Sequence, residues 1–452
     1  MNIEKLISEI SSFVWGYPLL IILIGGGFYL LVISKFKPFR YFFHAIDIIR
    51  GKFNDKHSDG EISHFQALTT ALSATVGMGN IAGVAVAISI GGPGAIFWMW
   101  ISGIIGMSTK FFTASLAVMY RGVDSQGNKQ GGPMYFIVNG LGDKWFPLAI
   151  FFSFCGMVGA LPVFNVNQLT QAVNDIILVP NGVQISLFSN FIIGMILTII
   201  TSIVILGGLK RISRVSAKLV PFMVGVYMIM VLVILVIHYD KIPNYIYLIF
   251  YDAFHADYYD GNSALGGVLG ALIILGIRRG AFSNEAGIGM APMAHGAAKT
   301  NNPIKEGLVA MLGPAIDTLL VCTLTALAIL VTDAWKLDVD GVSLTAAAFE
   351  SSFSFYGNYI LLICVFVFSI SSLFSYSYYG TKCLSFIIGA KNKKKYNYIY
   401  IISIMLGATT SLSMMINLID TFFALMAIPT MIATLILAPK VLEKLNNYEI
   451  NK

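Results

Sequence analysis

Eleven runs of this chain are apolar enough, and at about 20 residues long enough, to cross the hydrocarbon of a bilayer. They fall near 14–34, 66–90, 94–119, 147–169, 186–207, 217–238, 264–295, 306–332, 358–380, 398–416 and 419–437. Hydrophobic residues make up 57% of the 452 and charged residues 12%, about half the charged share of a soluble domain. With no water in the hydrocarbon, each run has to satisfy its backbone hydrogen bonds internally, which makes it a helix. The sequence therefore predicts an all-α polytopic membrane protein of about 11 transmembrane helices.

Charge sets the orientation, because cytoplasmic loops retain Lys and Arg. With 35–65 inside and the sides alternating from there, 23 of the 29 basic residues fall on the inner face, and only Lys5, Lys241 and Lys336 fall outside. This predicts a multi-pass protein of the cell (plasma) membrane, with the N-terminus outside and the C-terminus cytoplasmic. The net charge of +6 then reflects basic loops against anionic lipid, and no nucleic-acid partner is implied. The first run lacks a basic leader and an A-x-A-like cleavage site, so it reads as a retained extra span. Cys155, Cys322, Cys364 and Cys383 have unrelated spacings and suggest neither a disulfide frame nor a metal knot. The pieces 35–65, 239–263 and 333–357 are too short to build cores of their own, so residues 1–452 read as a single membrane domain.

Two of the runs are interrupted. "ATVGMGNIAGVA" places Gly77, Gly79, Asn80 and Gly83 within seven positions, and "GIRRGAFSNEAGIG" opens a second break in the run 264–295. With the extra span 14–34 set aside, the interrupted runs open two halves of five, 66–238 and 264–437. Five is odd, so the halves cross the membrane in opposite senses, the pattern of an inverted-repeat secondary transporter with its site at the midplane. An unwound turn leaves amides and carbonyls without intrahelical partners, which is tolerable only where protein, water or a ligand satisfies them. The half-helix ending near Val76 offers carbonyls to a cation, and the one starting near Asn80 offers amides and a positive dipole end to a carboxylate. Gly79 and Gly83 alone have the spacing of a helix-packing face; the matched second break favours a ligand site.

Ionisable residues inside the runs are costly and should face protein or water. Arg278, Arg279 and Glu285 cluster at the second break, Asp317 lies in the next run and Lys110 toward the inner end of the run 94–119. Pairing of an arginine with Glu285 or Asp317 would give a gating, ion-coupling or purely structural network. The run 358–380 contains "SISSLFSYSYYG", in which Ser369, Ser371, Ser372 and Ser375 either bond their own helix or supply hard oxygen ligands for sodium.

The stretches "SHFQALTTALSATVGMGNIAGVA", "GGPGAIFWMW", "RGAFSNEAGIGMAPMAHGAAKT" and "DTLLVCTLTAL" resemble the alanine or glycine:cation symporter family, also called the sodium:alanine symporter family, over about residues 60 to 435. The resemblance implies a leucine-transporter-type 5+5 inverted repeat with two broken helices, plus the extra N-terminal helix, and sodium-driven uptake of a small neutral amino acid. It assigns Gly77, Gly79 and Asn80 to the substrate carboxylate and nearby groups. It implies further substrate contacts at Met78, Asn165, Gly276, Phe282, Met290 and Tyr376. Sodium, the coupling ion, would be held by carbonyls near Ala74 and Gly77 with the hydroxyls of Ser371 and Ser372. No other cofactor is implied. The chain departs from the family at Met78, where G-T-G-N is usual, at Met290, where G-S-A-P is usual, at Tyr376 in place of Trp and at Thr381 in place of Glu. Two thioethers and a smaller aromatic would reshape the pocket.

The expected mechanism is alternating access, with sodium organising the unwound turn. Two other readings have tests in the sequence. A cation channel would repeat its filter about a symmetry axis rather than within one chain. A membrane enzyme would need a nucleophile and base, and His295 with Asp317 is the only tempting pair. A family member carrying another amino acid, such as glutamine, is the remaining alternative.

Overall fold

The computed structural model describes residues 3–53, 58–257, 267–339, 341–354, 356–409 and 413–449. Among these, eight helical spans are long and apolar enough to cross a membrane, and a ninth span is a bent pair, His64–Thr75 with Gly79–Gly91, turned through 57°. The expected runs 264–295 and 398–416 correspond to Gly267–Asn284, which carries Arg278 and Arg279, and to Lys393–Thr409, which is 17 residues long. Residues 264–266 and 410–412 of these two runs lie outside the described residues. Several helices overrun the expected edges. The run 147–169 is two helices, Phe146–Gly159 and Val163–Val173, joined through Ala160 to Pro162, and 358–380 extends over Tyr356–Ile388.

Position in the bundle follows from each helix's surface. Ala95–Met119 is buried along nearly its whole length and packs on Gly267–Asn284 and Pro303–Pro314. Leu187–Ile205 buries only Gly194, Leu197, Thr201 and Ile205 and exposes Leu187, Phe188, Ile192, Ile196, Ile199 and Ile203, a face suited to lipid chains.

The first break has a local cause. Ser63 caps His64–Thr75 in a capping box with Gln66, and the helix stops because Val76 takes an extended conformation with ψ of 96°. The chain resumes in a widened turn, Gly79–Gly83, and then in Val84–Gly91. The second break is narrower than the expected stretch. Gly276–Asn284 is continuous helix, because Gly276 and Gly280 serve close packing: a Cβ on Gly276 would lie 2.4 Å from the Ala95 carbonyl oxygen, and one on Gly280 2.8 Å from Ser102 Cβ. The backbone leaves the helix only at Glu285, a non-glycine with φ of 53°, followed by Gly287 at 89° and Gly289 at 108°. A left-handed non-glycine persists only where its surroundings impose it. Ala291–His295 then starts with Pro292 in its first turn.

The connections add secondary structure that a count of spans omits. Gly122–Val123 and Lys129–Gln130 form an antiparallel hairpin. Ile242–His255 docks through Asp252 Oδ2, which accepts the Gly94 amide at 2.7 Å, and Ala253 O, which accepts Trp98 Nε1 at 3.0 Å. Gly341–Phe353 lies against the widened turn, where Thr345 Oγ1 donates to Ile81 O at 3.5 Å.

Candidate functional site

The two breaks meet at a cavity of about 50 Å³. Gly77, Met78 and Gly79 form one wall, Phe282, Ser283 and Glu285 another, and Asn165, Ser372 and Tyr376 are among the other lining residues. Tyr376 OH donates to Glu285 Oε1 at 2.5 Å, while Glu285 Oε2 is buried without a hydrogen-bond partner. Thr75 Oγ1, also on the lining, is unpartnered in the same way. The unusual backbone at Glu285 thus brings this residue to the cavity wall, with its second carboxylate oxygen buried there. Asn80 stands behind the wall instead of lining it. Its Oδ1 accepts the Gly77 amide at 2.8 Å, and its Nδ2 donates to Asp317 Oδ1 at 2.7 Å and to Ser283 Oγ at 3.2 Å. One amide side chain therefore ties the first break to the second and to the next helix.

Met78 lines this cavity and is 2% exposed. Met290 is fully buried in the apolar core and belongs to no cavity lining found among the described residues. Gly276 packs on Ala95 and Trp98, away from the cavity. Neither of these last two positions lines the deep cavity.

Neutral oxygens gather beside the first break, where Ala74, Gly77 and Ser372 also line the cavity. Ser371 Oγ donates to Ser73 O at 3.2 Å and to Phe368 O at 2.8 Å, and Ser372 Oγ donates to Ala74 O at 3.4 Å and Phe368 O at 3.2 Å. A Cβ on Gly77 would lie 3.0 Å from Ser372 Oγ, so any larger residue there would press on this hydroxyl. Hydroxyls and carbonyls without a fixed carboxylate are the donor set that a hard monovalent cation takes. Ser375 instead bonds Thr70 O at 2.8 Å and the hydroxyl of Ser73.

The four expected network charges divide. Asp317 is fully buried, with Oδ1 accepting from Asn80 and from Ser283 Oγ at 2.6 Å. Lys110, 2% exposed, is buried in the neighbouring helix Ala95–Met119 and stands in no ion pair with either acid among the described residues. Arg278 and Arg279 pair with neither acid. They line a second, larger cavity of about 370 Å³, which shares Met78, Gly79, Phe164, Phe282 and Asp420 with the deep one. Between the two cavities stand Trp15, Phe164, Phe282 and Phe423, with ring centroids 5.5 Å apart for Trp15–Phe282 and 6.4 Å for Phe164–Phe282.

The opposite end of the breaks is clasped. Arg121 donates to the carbonyls of Gly296 at 2.8 Å, Thr300 at 2.6 Å, Ala298 at 2.5 Å and Asp59 at 3.2 Å. Glu306, fully buried, accepts from the ring of His295 at 2.6 Å and from that of His64. The clasp joins the half-helix His64–Thr75 to the short helix Ala291–His295. His295 is engaged here and not with Asp317, so the one tempting catalytic pair does not form.

Sequence reasoning missed Asp420, Glu306, Arg121 and Trp15. The first two carry a usable signal, an acid at the edge of an apolar run. Arg121 sits among other basic residues of a loop, and nothing near Trp15 marks it.

The whole chain, residues 1–452, matches the sodium:alanine symporter family. It is 40% identical over 459 residues to the sodium/alanine symporter AgcS of Methanococcus maripaludis, covering 100% of this chain and 99% of that one. It is 32% identical over 464 residues to the probable sodium/glutamine symporter GlnT of Bacillus subtilis, covering 100% and 91%. In fold it is similar to MhsT, solved in complex with L-phenylalanine, with a TM-score of 0.57 and 12% identity over 86% of this chain and 99% of that chain. Two broken helices meeting at a buried cavity, in a multi-pass helical bundle matched over its full length, make the chain a member of the sodium:alanine symporter family.

Proposed function

We propose that the protein is a secondary active symporter that couples sodium influx to uptake of a small neutral amino acid of the alanine or glycine class. The observation that carries this reading is the convergence of both breaks on one cavity of about 50 Å³. At roughly 10–15 Å³ for each water-sized sphere, that volume suits a one-carbon side chain or none, and glutamine would need the walls to move. Amides at the start of Gly79–Gly83 face the carboxylate, and the unpaired Glu285 Oε2 faces the ammonium. Sodium, as cargo, takes the oxygens of Ser371, Ser372, Ser73 and Ala74, with Gly77 close by. Asn80 braces the break that both ligands share.

The single transporter domain comprises the extra span, a first repeat over 66–238 and a second over 264–437, in opposite orientations. The N-terminus is outside and the C-terminus cytoplasmic, supported by the 23 basic residues on one face. In that frame the 370 Å³ cavity opens outward and the Arg121 and Glu306 clasps close the cytoplasmic side. Transport follows when ligand binding draws the outer walls together and the clasps release.

Uptake of a labelled amino-acid panel into proteoliposomes, with and without an inward sodium gradient, tests this. Alanine or glycine should accumulate only with the gradient. Gradient-independent uptake, or sodium conductance without any amino acid, would overturn it; preferential accumulation of glutamine would transfer the reading to the GlnT-like alternative.

A further inference from the structure

The 370 Å³ cavity has features that a passive entrance does not need. Its charges balance: Arg278 and Arg279 on one helix face Asp420 and Asp175 on others. None of these four stands in an ion pair within 4.0 Å among the described residues. Arg279 Nε is buried without a hydrogen-bond partner, and Arg278 lies over the Trp15 ring, 5.9 Å from its centroid. Trp15 in turn donates from Nε1 to Asp420 O at 3.2 Å, so one aromatic ring fixes both the cationic and the anionic wall. A guanidinium with a free edge is a forked donor for a carboxylate, and a carboxylate across from it is an acceptor for an ammonium. A lone anion would meet two acids here and a lone cation two arginines; a zwitterion meets its complement at each end.

The geometry points to a second amino-acid site in this outer cavity, in which Arg279 with Arg278 holds the α-carboxylate, Asp420 the α-ammonium, and the screen of Trp15 and Phe282 separates it from the deep pocket. The inference rests on the reading that the deep pocket carries an amino acid. It goes further by assigning a distinct, less selective station on the way in. The outer cavity is about 370 Å³ against about 50 Å³ for the deep one, so the outer one has room for a longer side chain. The outer site therefore accepts amino acids that the deep site refuses. Glutamine waits there and blocks alanine without being carried.

Equilibrium dialysis of the purified full chain in nanodiscs, at saturating sodium, reads both sites. Labelled alanine should bind in two components, with glutamine displacing only the weaker. Arg279→Gln should weaken that component about tenfold or more, the weight of a charge-assisted pair, and leave the tighter one in place; Arg279→Lys should fall between, having the charge without the fork. One alanine per chain with the R279Q isotherm superimposed on the parent's overturns the inference, as does loss of the tighter component alone. Should R279Q fail to fold, Arg278→Gln is read by the same isotherms against the same outcomes. Absence of binding by every amino acid in the uptake panel would instead overturn the symporter reading, which keeps the two failures apart.

Discussion

Asn80→Ala removes several bonds with one substitution, the two shortest of which dominate. The lost acceptor leaves the Gly77 amide, bound at 2.8 Å, without a partner inside the first break. The lost donor takes from the Asp317 carboxylate a bond of 2.7 Å. Asn80 and Asp317 are both fully buried, so bulk water does not replace either bond. The neutral bond contributes about 0.5–1.5 kcal/mol net and the bond to a carboxylate about 1.5–3, together roughly 2–4 kcal/mol. If all of that holds the break in its binding shape, amino-acid affinity falls by about 30- to 1,000-fold at 1.4 kcal/mol per decade. Sodium shares the break, so its affinity falls too, and each ligand loses part of its ability to tighten the other. Isothermal titration of alanine at fixed sodium, and of sodium at fixed alanine, measures both effects. The reasoning fails if a folded N80A protein binds both ligands within about threefold of the parent, less than 1 kcal/mol. It also fails if the amino acid alone is affected, since Asn80 would then touch the substrate and not brace the break.

Ser372→Ala removes one hydroxyl from the oxygen cluster beside Ala74 O and Phe368 O; half-maximal sodium for alanine uptake should rise about tenfold, one hydrogen-bond-scale ligand, while the rate at saturating sodium stays near the parent's. Arg121→Gln strips the donors from four backbone carbonyls at the clasped end, so Cys383, fully buried and 3.9 Å from Met293 Sδ in the short helix of the second break, should react with a maleimide faster than in the parent; unchanged labelling would mean that the clasp does not hold this end shut. Asp333, in the connection after Pro303–Val331, is pushed up by partial burial, but hydrogen bonds from Lys241, Lys336 and Tyr245 outweigh that and hold its carboxyl well below the usual range. A depressed acid stabilises the fold above its unfolded pKa of about 3.9 and loses that contribution as pH falls toward the folded value. The melting-temperature gap between the parent and Asp333→Asn should accordingly be full at pH 6 and close below pH of about 4; a gap independent of pH would refute the assignment.

What the sequence revealed and what it hid divide along the range of the forces involved. Breaks are legible because a glycine cluster in an apolar run is a local anomaly: Val76 to Gly79 could be named from composition alone, and Gly287 and Gly289 lay within the second expected stretch. Their exact extent was not, because Gly276 and Gly280 look like helix breakers on the page and become packing surfaces only when Ala95 and Ser102 arrive from another helix. The same rule explains the charges. Arg278, Arg279, Glu285 and Asp317 were recognisable singly as costly in hydrocarbon, but proximity in sequence suggested a pairing that geometry refuses. Successive residues on a helix point in different directions, so the arginines face the large cavity while Glu285, past the helix end, turns on a left-handed backbone toward the deep one. Trp15 is the extreme case. Its role depends wholly on the extra N-terminal segment folding back across Phe282, Phe423 and Asp420, contacts more than 260 residues distant in the chain, and no periodicity records such a placement. The segment read as an extra span thus supplies the ring that separates the two cavities, and an account of passage from one to the other has to include it.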